Sequence, residues 1–192
     1  MIAVFDNAIQ DDNILKRINT NWDTIFADPG VYKYWDGWWN SPINNTTKEI
    51  IEYLWGERCP LGRSYDISGF EYWTGIQTAQ EYDQEWADTL PIHFDKDEAW
   101  WRETGEIVSP IIGSVYYPPG QRFTGGELAI YTDGRDSTPE IIKAKPNRFV
   151  IFGAGRDLHM VQQVTSGKRN AIAINLWESE PYSKQKGILT IE

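Results

Sequence analysis

The second half of this chain is written in a period of two. From about Phe70 the apolar residues leave the three- and four-residue spacing of a helix and alternate with polar ones, and turn chemistry breaks the alternation at short intervals. Candidate strands are 70–77, 90–95, 109–117, 126–131, 140–144, 148–152, 159–164 and 170–177. The signals between them include Pro118-Pro119-Gly120, Gly125-Gly126, Thr132-Asp133-Gly134, Lys145-Pro146-Asn147 and Ser166-Gly167. Eight antiparallel strands behind two helices predict a mainly β fold, a jelly-roll barrel with its helices packed on one sheet.

Ahead of the strands, residues 2–5 read as a short strand leading into a helix over 11–27. Its apolar positions Ile14, Leu15, Ile18, Trp22, Ile25 and Phe26 make one helical face, and Pro29-Gly30 ends it. Thr46-x-x-Glu49 reads as a capping box that opens a second helix carrying Ile50, Ile51, Leu54 and Trp55, closed by Gly56 and Pro60. Between the helices, residues 31–39 are too aromatic for a solvated linker. They fit either a loop buried against the barrel or a flap that grips a substrate. The chain is read as a single domain, 1–192, made of a helical N-terminal support (1–68), a jelly-roll core (69–178) and a tail (179–192). Residues 78–89, rich in Glu, Gln and Asp, read as a surface excursion.

The formal charge of −10 repels phosphate backbones and no window is a basic run, so nucleic acid is not expected as a partner. The single Cys59 cannot close an internal disulfide and fits a reducing compartment. The N-terminal residues lack the flank and apolar core of a signal peptide, and no stretch has the length of a membrane span. A cytoplasmic protein without membrane attachment is the expectation.

The chain contains two histidines. The first lies in His93-Phe94-Asp95. Two apart on an extended strand, His93 and Asp95 point to one face and Phe94 to the other, so both can reach one ion. Alone the tripeptide is a weak signal, because a histidine near an aspartate is more often a surface hydrogen bond. Other residues strengthen it. His159 follows the apolar run 148–152 on another predicted strand. Arg169 comes ten residues later, across the predicted Ser166-Gly167 turn, where its planar fork would point into the barrel and could hold a carboxylate. Ala171 and Ala173 share the face of Arg169, while Ile172, Ile174 and Leu176 take the other. Small side chains there leave room for a small anion, where a filled barrel would carry large ones. Two imidazoles and one carboxylate with positions left open are the donor set of a non-haem Fe(II) oxygenase. Two further groups fit the blander reading. Asp133, Asp136 and Glu140 suit a solvated loop better than a calcium site, and Gly153-Ala154-Gly155 suits a mobile turn better than a phosphate loop, since no helix follows it.

In order along the chain, His93-Phe94-Asp95, the Tyr116-Tyr117 strand, Gly125-Gly126-Glu127-Leu128, the strand from Pro146 to Phe152, and His159 through Trp177 resemble the Fe(II)/2-oxoglutarate-dependent dioxygenases, most closely the prolyl 4-hydroxylase-like branch. The resemblance implies a double-stranded β-helix, with Fe(II), 2-oxoglutarate and O₂ as cofactor and cosubstrates and ascorbate as a helpful reductant. His93, Asp95 and His159 would be the iron ligands. Arg169 would pair with the distal carboxylate of 2-oxoglutarate, with Lys168 as the competing candidate, and Tyr117 would add a hydroxyl while Tyr116 faces outward. Tyr72 and Trp73 compete for a further family position. Asn175 stands where many relatives carry an aromatic residue. The retained Asp95 favours hydroxylation over halogenation, with release of succinate and CO₂. A peptide or protein side chain, proline first, is the implied substrate, with a small molecule as the other class. Loops 31–42, 78–89 and 121–124 would set the choice. The competing readings are a non-catalytic barrel that binds a metal or a dicarboxylate as a sensor or interaction module, and a cupin-type isomerase, which usually recruits more histidines.

Overall fold

The structure, a computed structural model, describes residues 1–59, 66–79 and 90–187, and the backbone of 190–191. Strand β1 (Ala3–Asp6) is followed by helices α1 (Asp12–Thr20) and α2 (Trp22–Ile25), strand β2 (Lys33–Trp35) and helix α3 (Thr46–Trp55). Next come strands β3 (Gly69–Thr78) and β4 (Leu90–His93), helix α4 (Glu98–Thr104), and strands β5 (Ile112–Tyr117), β6 (Phe123–Gly125), β7 (Leu128–Tyr131), β8 (Glu140–Ile142), β9 (Arg148–Phe152), β10 (Leu158–Val161) and β11 (Val164–Trp177). Helix α5 (Tyr182–Gln185) and the short β12 (Thr190–Ile191) end the chain. The strands form two sheets. The larger runs β1-β9-β5-β11-β3-β2-β12, with β6 paired to β11, and the smaller runs β4-β10-β7-β8. Two sheets, antiparallel except where β12 joins β2, whose chain order is scrambled in this way make the jelly roll that the period of two predicts.

The alternation within the larger sheet divides the core in two. Phe70, Tyr72, Ile112, Tyr116, Phe149, Ile151, Ile172 and Ile174 face Ile14, Ile18, Ile50, Ile51 and Leu54 of the helices. Tyr117, Val150, Phe152 and Ala171 face the other way, toward Leu128 and Ile130 of the smaller sheet. Strand β9 is buried at every position, which is why it reads as a continuous apolar run. Ile18, Ile50 and Ile51 are fully buried, and each contributes roughly 1.5–3 kcal/mol by leaving water.

Several local expectations change. The predicted first helix breaks at Asn21 into α1 and α2, and the Asn21 side chain donates to Thr46 Oγ1 at 2.7 Å. Thr46 is therefore not the cap of α3. Asn45 accepts from the Lys48 amide at 2.9 Å, and Glu49 turns outward to pair with Arg17 at 2.6 Å. The N-terminal support is not only helical, because β1 pairs with β9 and β2 with β3. Residues 31–39 split between their two readings. Tyr34 and Trp35 are buried on β2, while Tyr32, Trp38 and Trp39 stay partly exposed. The predicted Ser166-Gly167 turn does not exist. Gly167 (φ +73°) lies inside β11, where it pairs with Phe123, and a Cβ on it would come within 2.3 Å of the Arg122 carbonyl. A glycine at a close backbone approach carries the same composition signal as a turn. The Gly153–Gly155 turn is packed rather than mobile, since Ala154 is fully buried and Gly155 abuts Ser109 and Pro110.

Helix α4 lay outside the sequence reading although its signals were present. Asp97 caps it, accepting from the Trp100 amide at 3.1 Å, and Gly105 ends it in the left-handed region. The buried Asp97 carboxylate also accepts from the Ser183 amide at 3.2 Å, tying α5 to α4. The tail thus has structure, and β12 adds a parallel strand beside β2. Residues 80–89 of the predicted excursion, and Pro60, lie outside the described residues.

Candidate metal centre

The register of the smaller sheet brings the two histidines together. Strands β4 and β10 are antiparallel with His93 directly opposite His159, so both side chains take one face, and their ring centroids lie 4.3 Å apart. Asp95 follows β4, and its amide donates to the Ala154 carbonyl at 2.8 Å. Its Oδ1 lies 3.4 Å from His93 Nε2 and 3.7 Å from His159 Nε2. One potential ligand atom from each residue falls within 4.8 Å of the others. Bonds of about 2.0–2.2 Å to a shared divalent ion put ligand atoms at roughly these separations.

The outer nitrogens fit the same use. Nδ1 of His93 faces the Pro91 carbonyl at 2.6 Å, and Nδ1 of His159 faces the Asp157 carbonyl at 3.1 Å. A carbonyl only accepts, so each Nδ1 carries the proton and each Nε2 keeps its lone pair for the shared space. Burial pushes the His159 imidazole below its ordinary pKa, which keeps it neutral. Burial also acts to lower His93, but its protonated form would donate from Nε2 to Asp95 as well as from Nδ1 to the Pro91 carbonyl, and these outweigh burial and hold its pKa above the ordinary value. For Asp95, burial acts upward and is outweighed by the His93 hydrogen bond and the nearby His159, so the carboxyl sits below its usual value. A buried anion with two imidazole nitrogens aimed at it is a suitable holder for a divalent cation.

These residues line a cavity of about 440 Å³ that continues along the inner face of the larger sheet past Trp73, Gly75 and Gln77 of β3 and Arg169, Ala171, Ala173 and Asn175 of β11. Arg169 is buried, with 3 % of its surface exposed. Its Nη2 donates to Tyr117 Oη at 3.3 Å, its Nη1 donates to Gln77 Oε1, and its Nε has no partner among the described residues. Nor does any carboxylate pair with it among the described residues, and a buried guanidinium without a counter-ion is unstable unless an anion joins it. Gly126 makes the approach possible. It sits at φ +69°, and a Cβ there would lie 2.6 Å from Arg169 Cδ.

The model of the 2OG-Fe(II) oxygenase superfamily matches residues 78–177, more than half of the chain. The chain belongs to that superfamily. This oxygenase matches no curated protein in sequence. Among solved structures it is similar to a Pseudomonas putida prolyl-4-hydroxylase, with a TM-score of 0.63, 12 % identity and 93 % of each chain covered. It is also similar to a 2OG-Fe(II) oxygenase family oxidoreductase from Burkholderia pseudomallei (TM-score 0.54, 11 % identity, 94 % of this chain and 86 % of that one). A third is the Trichoplax adhaerens prolyl hydroxylase in complex with a peptide fragment of the hypoxia inducible factor oxygen degradation domain (TM-score 0.53, 13 % identity, 92 % and 83 %). At such identities the likeness is one of fold, and it agrees with the jelly-roll expectation.

Within this oxygenase strand face separates the residues that the sequence left open. Trp73 lines the cavity and Tyr72 packs toward the helices. Arg169 is buried while Lys168 is exposed. Tyr117 meets Arg169, and Tyr116 does turn away, though into the helical core rather than to solvent, where its hydroxyl donates to Asn147. Gln121, expected in a specificity loop, is buried and bonds the Asn170 amide and carbonyl. Asp133, Asp136 and Glu140 are exposed, and the His93–Asp95–His159 group is the one cluster that could hold a metal among the described residues. No helix among the described residues is long and apolar enough to cross a membrane.

Sequence reasoning passed over Gln77 and Glu71. Gln77 is two residues beyond Gly75 on the face of Trp73, so the alternation of β3 could have found it. Glu71 is 8 % exposed and accepts from Asn175 Nδ2 at 3.3 Å and Trp177 Nε1 at 3.1 Å. Burial raises its carboxyl to about 7.

Proposed function

We propose that this oxygenase is a hydroxylase dependent on Fe(II), 2-oxoglutarate and O₂. His93, Asp95 and His159 hold the metal, Arg169 and Tyr117 hold the distal carboxylate of 2-oxoglutarate, and a peptidyl side chain, proline first, is the substrate. The observation that carries the reading is the pairing, in one cavity, of a metal-ligand cluster with a buried arginine that has no carboxylate partner among the described residues. When bound, the iron supplies the oxygen chemistry that turns a C–H bond into C–OH as 2-oxoglutarate becomes succinate and CO₂.

The chain's own residues orient and exclude. Arg169 offers its Nε–H edge to one end of a dicarboxylic acid, while Tyr117 and Gln77 fix the plane of the guanidinium. Ala171, Ala173 and Gly75 leave the volume that the acid needs between Arg169 and the ligand cluster. Tyr32 and Trp73, with ring centroids 4.7 Å apart, form an aromatic wall of the same cavity that suits an apolar ring or peptide segment. The fold likeness to two prolyl hydroxylases, one of them bound to a peptide, supports the choice of peptidyl proline. The same proposal treats residues 1–192 as one catalytic domain, supported by the pairing of both chain ends into the larger sheet.

The test is conversion of 2-oxoglutarate to succinate, read by mass spectrometry, with Fe(II), ascorbate and a panel of proline-containing and proline-free peptides. Peptide-stimulated succinate that disappears in His159→Ala is expected. Absence of succinate with every peptide, together with no iron-dependent binding of 2-oxoglutarate, would reject the hydroxylase; stimulation by proline-free peptides alone would reject the substrate.

A further inference from the structure

We infer that Asn175 is a positioning residue for the metal centre, because one side-chain amide is shared between Asp95 and a second buried carboxylate, Glu71, and thereby selects which oxygen of Asp95 faces the imidazoles. The inference rests on the reading that His93, Asp95 and His159 hold the metal. Asn175 Nδ2 donates to Asp95 Oδ2 at 3.0 Å and to Glu71 Oε2 at 3.3 Å. An amide nitrogen has two hydrogens, so each carboxylate receives one. With Oδ2 of Asp95 engaged, Oδ1 is the oxygen left toward His93 Nε2 and His159 Nε2.

The surroundings hold this amide in place. Asn175 lies on the long central strand β11, opposite Glu71 of β3 and opposite Gly113 of β5, so the three share one row on the inner face. Trp177 Nε1 donates to the same Glu71 oxygen at 3.1 Å and fixes the acceptor. Gly113 provides the space, since a Cβ there would lie 2.8 Å from Asn175 Oδ1 and 2.3 Å from Ala154 Cβ. Asp95 itself lies beyond the last residue of β4, with its amide bonded to the Ala154 carbonyl. Its terminal torsion is intrinsically soft. The bond from Asn175 reaches it from a strand paired on both sides, and so transfers the rigidity of the larger sheet to a group flanking the smaller one. A neutral donor is needed for this. A carboxylate at 175 would repel both neighbours, and an apolar residue would free Asp95 to rotate.

The experiment uses the full chain stripped with a chelator and titrated with Co(II), which binds such donors without oxygen chemistry, by calorimetry and visible absorption. Wild type is compared with Asn175→Ala and with the double variant Glu71→Leu/Asn175→Leu. The double variant removes Glu71 together with the amide that serves it, so that no bare Glu71 carboxylate destabilises the fold; Asp95 loses its donor, which is the effect under test, and Trp177 Nε1 loses an acceptor. Loss of a group that orients a metal ligand weakens metal binding by about 10- to 100-fold. That loss is expected in both variants, with a changed Co(II) spectrum and, for the double variant, a thermal midpoint close to wild type. A folded variant that binds Co(II) with wild-type affinity and spectrum overturns the positioning role and leaves the metal site standing. Failure of wild type to bind Co(II) overturns the metal-site reading and this inference with it.

Discussion

Replacing Glu71 by Gln should make the apo protein more stable above neutral pH and leave it unchanged below about pH 4.5. Glu71 is 8 % exposed, and burial is the chief cause that lifts its carboxyl from 4.5 to about 7, with the negative charge of Asp95 acting in the same direction against hydrogen bonds from Asn175 and Trp177. A folded-state value above the unfolded one means that the native chain binds the extra proton between those two pH values. Stability is then fully present below about 4.5 and declines as pH rises through about 7. The interval from 4.5 to about 7, at about 1.4 kcal/mol per pH unit, gives roughly 3 kcal/mol of destabilisation once Glu71 is ionised. Glutamine keeps an acceptor for Asn175 and Trp177 and has no charge to bury. Urea unfolding in chelator from pH 4.5 to 8.5 should show two stability curves that meet at the acid end and diverge by roughly 3 kcal/mol at pH 8. Parallel curves, or a variant less stable than wild type at pH 8, would show that Glu71 is ionised and well compensated in the fold, and the reasoning would fail.

Other outcomes follow from the same geometry. Arg169→Ala should weaken 2-oxoglutarate binding by about 2–5 kcal/mol, as for a buried ion pair stripped of one partner, and isothermal titration would show it; Tyr117→Phe should cost about 1 kcal/mol. Because His93 is held above its ordinary value, protons compete with the metal for it, so Co(II) affinity should fall as pH drops through the His93 pKa and level off above it, and an affinity that rises on acidification would contradict this. Gly113→Ala should destabilise the chain by about 1–3 kcal/mol in denaturant, since the new Cβ would overlap Ala154. Gly126→Ala places a side chain at φ +69° and against Arg169, so its 2-oxoglutarate affinity should drop in the same titration.

The parts of this molecule legible in its sequence are those in which one residue type in one local pattern carries the meaning. The period of two pairs His93 with Asp95, and they do converge although Asp95 lies just past the end of β4, held by its amide bond to the Ala154 carbonyl; Ala171 and Ala173 declare the cavity by the same alternation. Arg169 could be preferred to Lys168 on alternation alone, and the exposure of Lys168 agrees. What stayed hidden depends on register between distant strands. Glu71 and Asn175 are ordinary polar residues until β3 and β11 pair them across 104 positions, and no local pattern marks that event. Glycine misled in one place for a related reason. Gly167 shows the composition of a turn, yet β6 lies against it and draws it into a continuous strand. Helix α4 is a different case, since Asp97 and Gly105 mark its ends. Its seven residues are too few for a periodic signal, and its anchorage comes from Ser183 far along the chain.

The candidate ligands His93, Asp95 and His159 belong to the smaller sheet and its flank, whereas Arg169 and Tyr117 belong to the larger one. On the proposed reading, a dicarboxylic acid held by Arg169 at one end and by the metal at the other would straddle the seam between the two leaves of the barrel, alongside the Asn175–Asp95 bond. Ion and acid should each tighten the hold on the other, since coupling of this kind is reciprocal. Together they should raise the melting temperature by more than the sum of their separate effects, like a clasp whose halves are sewn to opposite lapels.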